Sequence, residues 1–287
     1  MHSPTVIDLH MHSSISDGTD SPQEILAAVR QAGIRLFSLT DHDAVKGCEM
    51  IRQVLTKDDP AFINGIEFSC EDERGKYHIL GYHYSLTNAA LLQTVETGHQ
   101  FRLDKLQARL QFLEERFGFV FPQEAKDHLY AQSNPGKPHI ANLMVQYGFA
   151  DSVENAIRNY LNHCHTPNWH LWPKQAIEAI LSAGGVPVLA HPSFGSGSQR
   201  ITGEALDNRL RYLMDFGLQG VEAFYSGFTP QLTDELLTLA KRYDLYVTAG
   251  SDYHGANKTV PLGGVQLPAP KDYPPGLCRF LAGVTGE

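Results

Sequence analysis

One coincidence constrains this chain more than any other: metal-binding side chains recur at or just after short apolar runs along its length. The first case is Asp8-Leu9-His10-Met11-His12, which closes an apolar stretch over residues 6–12. Two imidazoles two residues apart on a strand face the same side, and Asp8 falls in the same alternation. Neutral imidazole is the commonest protein metal ligand, and a strand end holds it rigidly. The theme returns at Asp17, Thr40-Asp41-His42-Asp43, Glu67, His78, Ala190-His191-Pro192 and Ser251-Asp252-Tyr253-His254. Unpaired buried carboxylates are costly, so a fold that buries these groups must gather them around something that compensates their charge.

The apolar runs alternate with helical patterns. Ser21-Pro22-Gln23-Glu24 reads as a capping box with proline at the first helical position. The helix it opens has Ile25, Ala28, Val29 and Ala32 as its apolar stripe and Gly33 as its stop. A second strand is expected over 36–40, and Asp43 is expected to cap a helix from Ala44 to about Leu55. Strands over 61–69 and 77–84 flank the polar turn 71–75, a hairpin pattern. A long helix is expected over 86–117, with shorter helices to about Leu161 and a loop around Cys164. Residues 85–172 therefore read as a helical subdomain inserted into a domain made of 1–84 and 173–287. A helix over 173–183 and strands over 186–190, 219–224 and 245–249 complete the alternation. Seven strands with mostly helical crossovers predict an α/β fold, either a barrel or a doubly wound sheet. Both architectures place sites at the carboxyl ends of strands, and periodicity leaves the choice open.

Composition narrows the function. The 287-residue chain is 42 % hydrophobic and 19 % charged, enough to bury a sizeable core. Its formal charge of −9, from 23 Lys+Arg against 32 Asp+Glu, opposes an electrostatic grip on long duplex nucleic acid. Cys48, Cys70, Cys164 and Cys278 show no C-x-x-C spacing, which suggests a reducing compartment. The start, Met1-His2-Ser3-Pro4, lacks a secretory signal pattern, and no run reaches the length of a membrane span. A cytoplasmic protein without membrane contact is expected.

His10, His12, Asp17, His42, Glu67, His78, His191, Asp252 and His254 are the candidate metal ligands. Imidazoles and carboxylates without thiolates suit Zn, Mn or Fe better than Ca or Mg. They are too many for one ion. Shared among two or three, they leave positions open for water and substrate, the arrangement that clamps a phosphate. Thr40, Asp41 and Asp43 are expected to orient neighbouring ligands.

In this order the motifs Asp8-Leu9-His10-Met11-His12, Asp17-Gly18, Thr40-Asp41-His42, Gly65-Ile66-Glu67, His78 to Gly81, Ala190-His191-Pro192 and Gly250-Ser251-Asp252-Tyr253-His254-Gly255 resemble those of the PHP (polymerase and histidinol phosphatase) family. The resemblance implies a distorted (β/α)7 barrel and a metal-dependent phosphoesterase. It implies that His10, His12, Glu67 and Asp252 hold one ion, that Asp17, His42 and His254 hold a second, and that Glu67, His78 and His191 hold a third. A hydroxide shared between ions would attack phosphorus, with His191, Asp252 and His254 in the catalytic group. Metal-bound water or His191 would supply the leaving oxygen with a proton.

Within the family, Gly136-Lys137-Pro138-His139-Ile140-Ala141 resembles a motif of the stand-alone branch with a helical insertion. That branch implies phosphatases of nucleoside monophosphates or 3′,5′-bisphosphates, while relatives trim short oligonucleotides from the 5′ end. A histidinol-phosphate phosphatase and a non-catalytic, metal-stabilised binding module are the remaining alternatives. The insertion would cap the substrate and hold its non-reacting end, with Arg102, Lys137 and His139 as phosphate binders. Arg200, in the loop after His191, is a further candidate.

Overall fold

The expected alternation is present, and it closes on itself. The computed structural model describes residues 7–132, 134–194 and 200–285. Its elements are β1 (Ile7–Asp8), α1 (Pro22–Gln31), β2 (Leu36–Leu39), α2 (Lys46–Val54), β3 (Ala61–Asp72), β4 (Gly75–Tyr82), α3 (Ala89–Phe117), α4 (Gln123–Tyr130), α5 (Lys137–Gln146), α6 (Val153–Asn159), α7 (Pro173–Ser182), β5 (Val186–Leu189), α8 (Gly203–Met214), β6 (Gly220–Tyr225), α9 (Pro230–Arg242), β7 (Tyr246–Gly250) and α10 (Pro275–Thr285).

The seven strands neighbour one another in sequence order. A doubly wound sheet reverses its strand order at a switch point, and this sheet never does. Its two ends meet instead: Met11 bridges Tyr253, and the Leu9 N–H donates to the Ala249 carbonyl at 3.0 Å. The architecture is therefore a distorted seven-stranded α/β barrel. The distortion lies at β4, which runs antiparallel to both β3 and β5 while the other pairs are parallel. A tight hairpin suffices for the antiparallel β3–β4 pair, so no crossover helix is needed there.

Local chemistry explains most elements. The Ser21 hydroxyl accepts from the Glu24 N–H, and the Glu24 carboxylate accepts from the Ser21 N–H, completing the capping box of α1. The buried face of α1, Ile25, Leu26 and Val29, joins Met11, Phe37, Leu39, Cys48, Ile51 and Phe62 in one core.

Two expectations need correction, and one helix was not anticipated. The strand expected over 6–12 has ladder pairing only at Ile7–Asp8. Beyond it, Leu9 and His12 donate to the carbonyls of Ala249 and Tyr253, while Met11 accepts from the Thr40 N–H. The extended chain is thus wedged between the segments after β2 and β7. Second, Asp43 does not cap α2. Its φ is 49°, its carboxylate accepts from the Ser69 N–H at 3.0 Å, and α2 starts after Val45 without a side-chain cap. The crossover helix α8 was not read from the sequence. It buries Leu206, Leu210 and Leu213, and the parallel β5–β6 pair requires such a crossover.

The chain forms two compact units, Met1–Val95 with Leu171–Glu287, and Glu96–His170. The first holds the barrel. The second has its own apolar core, including Leu106, Leu110, Leu113, Phe121, Ile140 and Met144, with Phe119 stacked on Phe149 at 4.6 Å. Among the described residues, no helix is long and apolar enough to cross a membrane.

Candidate metal centre

Barrel closure collects ligand-type side chains from seven separate places in the chain. His10 and His12 follow β1, Asp17 lies in the loop before α1, and His42 follows β2. Glu67 and His78 stand on β3 and β4, His191 follows β5, and Asp252 and His254 follow β7. Glu67, almost fully buried, is the centre. Its Oε2 lies 3.2 Å from His10 Nε2, 3.0 Å from His12 Nε2 and 3.2 Å from His42 Nδ1. Its Oε1 lies 2.8 Å from His78 Nδ1 and 3.0 Å from His191 Nε2. Asp252 Oδ1 lies 3.6, 3.4 and 3.3 Å from His10 Nε2, His12 Nε2 and His254 Nδ1. Asp17 Oδ1 lies 3.5 Å from His12 Nδ1 and 3.3 Å from His254 Nε2, and its Oδ2 is 3.9 Å from His42 Nε2.

The geometry of these contacts fits divalent cations. Despite the short distances, Glu67 Oε2, Asp17 Oδ1 and His78 Nδ1 are buried without a hydrogen-bond partner. An unsatisfied carboxylate oxygen in a protein interior carries its full desolvation penalty, which a cation relieves. Donor atoms lie within 4.8 Å of one another in three sets: His12, Asp17, His42 and His254; His10, His12 and Glu67; and His42, Glu67 and His78. His12 and His42 belong to two sets each, so the sets form one continuous cluster. The donors, all nitrogen and oxygen, are of a kind that Zn, Mn and Fe accept.

The charges point the same way. Burial pushes the His12 imidazole down to about 3, reinforced by His254 and His42. A histidine neutral at ordinary pH offers a lone pair. Burial opposes ionisation of Glu67, yet His42, His78 and His10 hold its carboxyl well below the usual range. Burial likewise opposes ionisation of Asp17, and His42 and His254 overcome it.

A model of the PHP domain matches residues 8–169, more than half of the chain. The chain belongs to the PHP domain family. This PHP protein is 29% identical over 283 residues to a 3′,5′-nucleoside bisphosphate phosphatase of Chromobacterium violaceum, covering 95% of this chain and 94% of the relative. It is 28% identical over 267 residues to a 5′-3′ exoribonuclease of Haemophilus influenzae, covering 91% and 92%. Its fold matches that of a candidate metal-dependent phosphoesterase from Bifidobacterium adolescentis, with TM-score 0.82, 24% identity and coverage of 99% and 98%. The PHP protein is a metal-dependent hydrolase of phosphoester bonds.

Around the cluster of this PHP barrel lies a layer that sequence reading caught only in part. Asp41 accepts from the Ser13 N–H at 2.7 Å and from the Ser13 and Ser16 hydroxyls, which fixes the loop leading to Asp17. The Thr40 hydroxyl bonds to both the N–H and the carbonyl of Met11, between the two opening histidines. Asp8 turns to the β7 side, accepting from the Ser251 N–H and hydroxyl and from the Gly263 N–H. Glu222, Tyr225 and Lys258 escaped notice altogether. Tyr225 Oη and Lys258 Nζ both donate to Asp252 Oδ2, at 2.8 and 2.5 Å. The signal available for Glu222 was a lone carboxylate inside an otherwise apolar strand, Gly220-Val221-Glu222-Ala223-Phe224-Tyr225.

Arg102, Lys137 and His139 belong to the helical unit. Lys137 Nζ donates to Asn162 Oδ1 at 2.7 Å. His139 Nδ1 accepts from the Gly136 N–H at 3.1 Å and so closes the first turn of α5. Arg200 is exposed and adjoins residues 195–199, which lie outside the described residues.

Proposed function

We propose that this PHP protein removes a phosphate from a small nucleotide, a nucleoside 3′,5′-bisphosphate or a monophosphate. The observation that carries the reading is the cluster around Glu67, with buried acceptors left unpaired by protein donors. His10, His12, Glu67 and Asp252 would hold one ion; Asp17, His42 and His254 a second; and Glu67, His78 and His191 a third. Bound there, Zn, Mn or Fe ions supply Lewis acidity toward phosphoryl oxygens and lower the pKa of water.

The chain's own groups do the rest. Glu67 sets the spacing, since each of its oxygens faces imidazoles from different strands. Asp252 presents Oδ1 to the cluster while Tyr225 and Lys258 hold Oδ2 away. His191, 13% exposed at its side chain, and His42 stand nearest solvent among the histidines bordering Glu67 apart from His78. Lys137, Arg102 and His139 would bind the phosphate that is not cleaved, and the relative that acts on nucleoside bisphosphates supports that reading. The acidic balance of the whole chain supports a small substrate over a long one.

The second reading is stepwise removal of 5′ nucleotides from short single strands, favoured by the exoribonuclease relative of nearly equal similarity. Purified protein loaded with Mn, Zn or Fe, offered a nucleoside 3′,5′-bisphosphate and a 5′-phosphorylated trinucleotide in parallel, separates the two. Faster phosphate release from the bisphosphate supports the first reading. Faster release of mononucleotides from the trinucleotide replaces it with the second, and inertness toward both in metal-loaded protein revives a binding module.

A further inference from the structure

Strand β6 supplies none of the candidate ligands, yet it touches three of them. Its register explains how. Glu222 pairs with Thr248 and Phe224 with Ala249, so Ala223 is an extra residue in β6. Tyr225 then pairs with Gly250. On a regular strand, residues three apart face opposite sides. The bulge shifts the alternation by one, so Glu222 and Tyr225, opposite residues two apart on β7, face the same way. Both point at the cluster of candidate ligands.

Their contacts are specific. Glu222, fully buried, uses Oε1 to accept from His10 Nδ1 at 2.9 Å. That leaves His10 Nε2 facing Glu67 and Asp252. Glu222 Oε2 accepts from the His191 N–H at 2.9 Å. The Tyr225 hydroxyl donates to Asp252 Oδ2. His191 and Asp252 have φ of 23° and 58°, a left-handed backbone that is strained for residues with a Cβ. Each of these strained residues is tied to β6 by one of the two side chains. The fit is tight: a Cβ at Gly250 would fall 2.7 Å from Glu222 Oε1 and 2.1 Å from His10 Cβ.

We propose that the β6 bulge makes Glu222 and Tyr225 positioning residues, which hold His10, His191 and Asp252 in the geometry that binds metal. A carboxylate on the remote nitrogen of a ligating histidine fixes the ring and raises its basicity. Both oxygens of Glu222 are engaged, whereas Glu67 Oε2 is left for a cation. The two buried glutamates therefore have different tasks. This inference rests on the ligand assignment proposed above, and metal uptake by the wild type tests that assignment separately.

The test compares wild type, Glu222→Gln and Tyr225→Phe, substitutions that preserve volume. The metal-free proteins are melted, titrated with Co(II) against a competing chelator, and their visible absorption spectra recorded. Glu222→Gln is expected to lose about 10–100-fold in metal affinity, the usual cost of removing such a partner, with an altered cobalt spectrum and an unchanged metal-free melting temperature. Tyr225→Phe is expected to shift the spectrum with a smaller loss. Wild-type affinity and spectrum in both variants would overturn the proposal. So would a lowered melting temperature with affinity and spectrum intact, since that marks a packing role. If Glu222→Gln does not fold, Tyr225→Phe decides alone: an unchanged spectrum rejects the proposal. A wild type that takes up no metal refutes the ligand assignment instead.

Discussion

The two compact units bury different things. Nearly every buried polar residue among those described lies in the barrel unit, from Asp8, His10 and His12 through Asp41, Glu67 and Glu222 to Asp252 and His254. In the helical unit only Asn134 joins them, and the interior is leucine, isoleucine, methionine and stacked phenylalanines. The helical unit is held by apolar burial. The barrel unit holds charge in its interior, which is favourable only while the charges are compensated. The comparison teaches that the ligand-type side chains are gathered in the barrel unit, while the helical unit has a separate apolar core.

That contrast can be broken by substitution. The largest effect is expected at the cluster. His12→Ala and Asp252→Ala should each lower kcat/KM by more than about a hundredfold, since even outer partners of metal ligands are worth 10–100-fold. Elemental analysis should show lost metal while the helical unit stays folded. Robust turnover with full metal content would sink the ligand assignment. Next comes Leu113→Ala, at a fully buried position of the helical core. A loss of about 3 kcal/mol in stability is expected, with metal content in the barrel retained. Metal loss in that variant would show that the two units are not energetically separate.

A smaller effect should appear as a pH slope in the metal-free protein. Burial pushes the Asp41 carboxyl up to about 6, against hydrogen bonds from Ser16 and Ser13. The unfolded carboxyl titrates near pH 4, so between about 4 and 6 the folded state binds the extra proton. This contribution to stability is present at low pH and is lost as pH rises through that window, on the order of 2 kcal/mol. Urea unfolding across the window should show the slope in wild type and a weaker one in Asp41→Asn. Equal slopes would refute the assignment. The smallest effect is expected at Lys137→Ala, on the helical unit. KM for a nucleoside bisphosphate should rise about tenfold, the scale of one charge-assisted contact, with metal content unchanged. An unaltered KM would remove Lys137 from the substrate-binding group.

Much of the site was legible because its residues announce themselves by type and place. His10, His12, His42, His191, Asp252 and His254 all follow strands, where alternation and ligand chemistry can be read together. Glu222 and Tyr225 were not legible. They sit three apart in an apolar strand, and the bulge that aligns them is a property of pairing with β7. The helix α8 was missed because only Leu206, Leu210 and Leu213 mark its buried face within a charged stretch. Asp43 was read as a cap from local pattern, but the Ser69 N–H across the sheet competes for its carboxylate.

By itself, the sequence determined the strand–helix alternation, the ligand chemistry and the family. The alternation and the ligand chemistry follow from periodicity and residue type, which are local, while the family rests on the resemblance of the ordered motifs. Only the tertiary structure decided that the sheet closes through Met11 and Tyr253, that Glu67 stands at the centre of the histidines, and that β6 aims two side chains at the cluster. Closure, centrality and register depend on which strands pair and where an extra residue falls. Such facts arise from contacts between distant segments, and no local pattern encodes them.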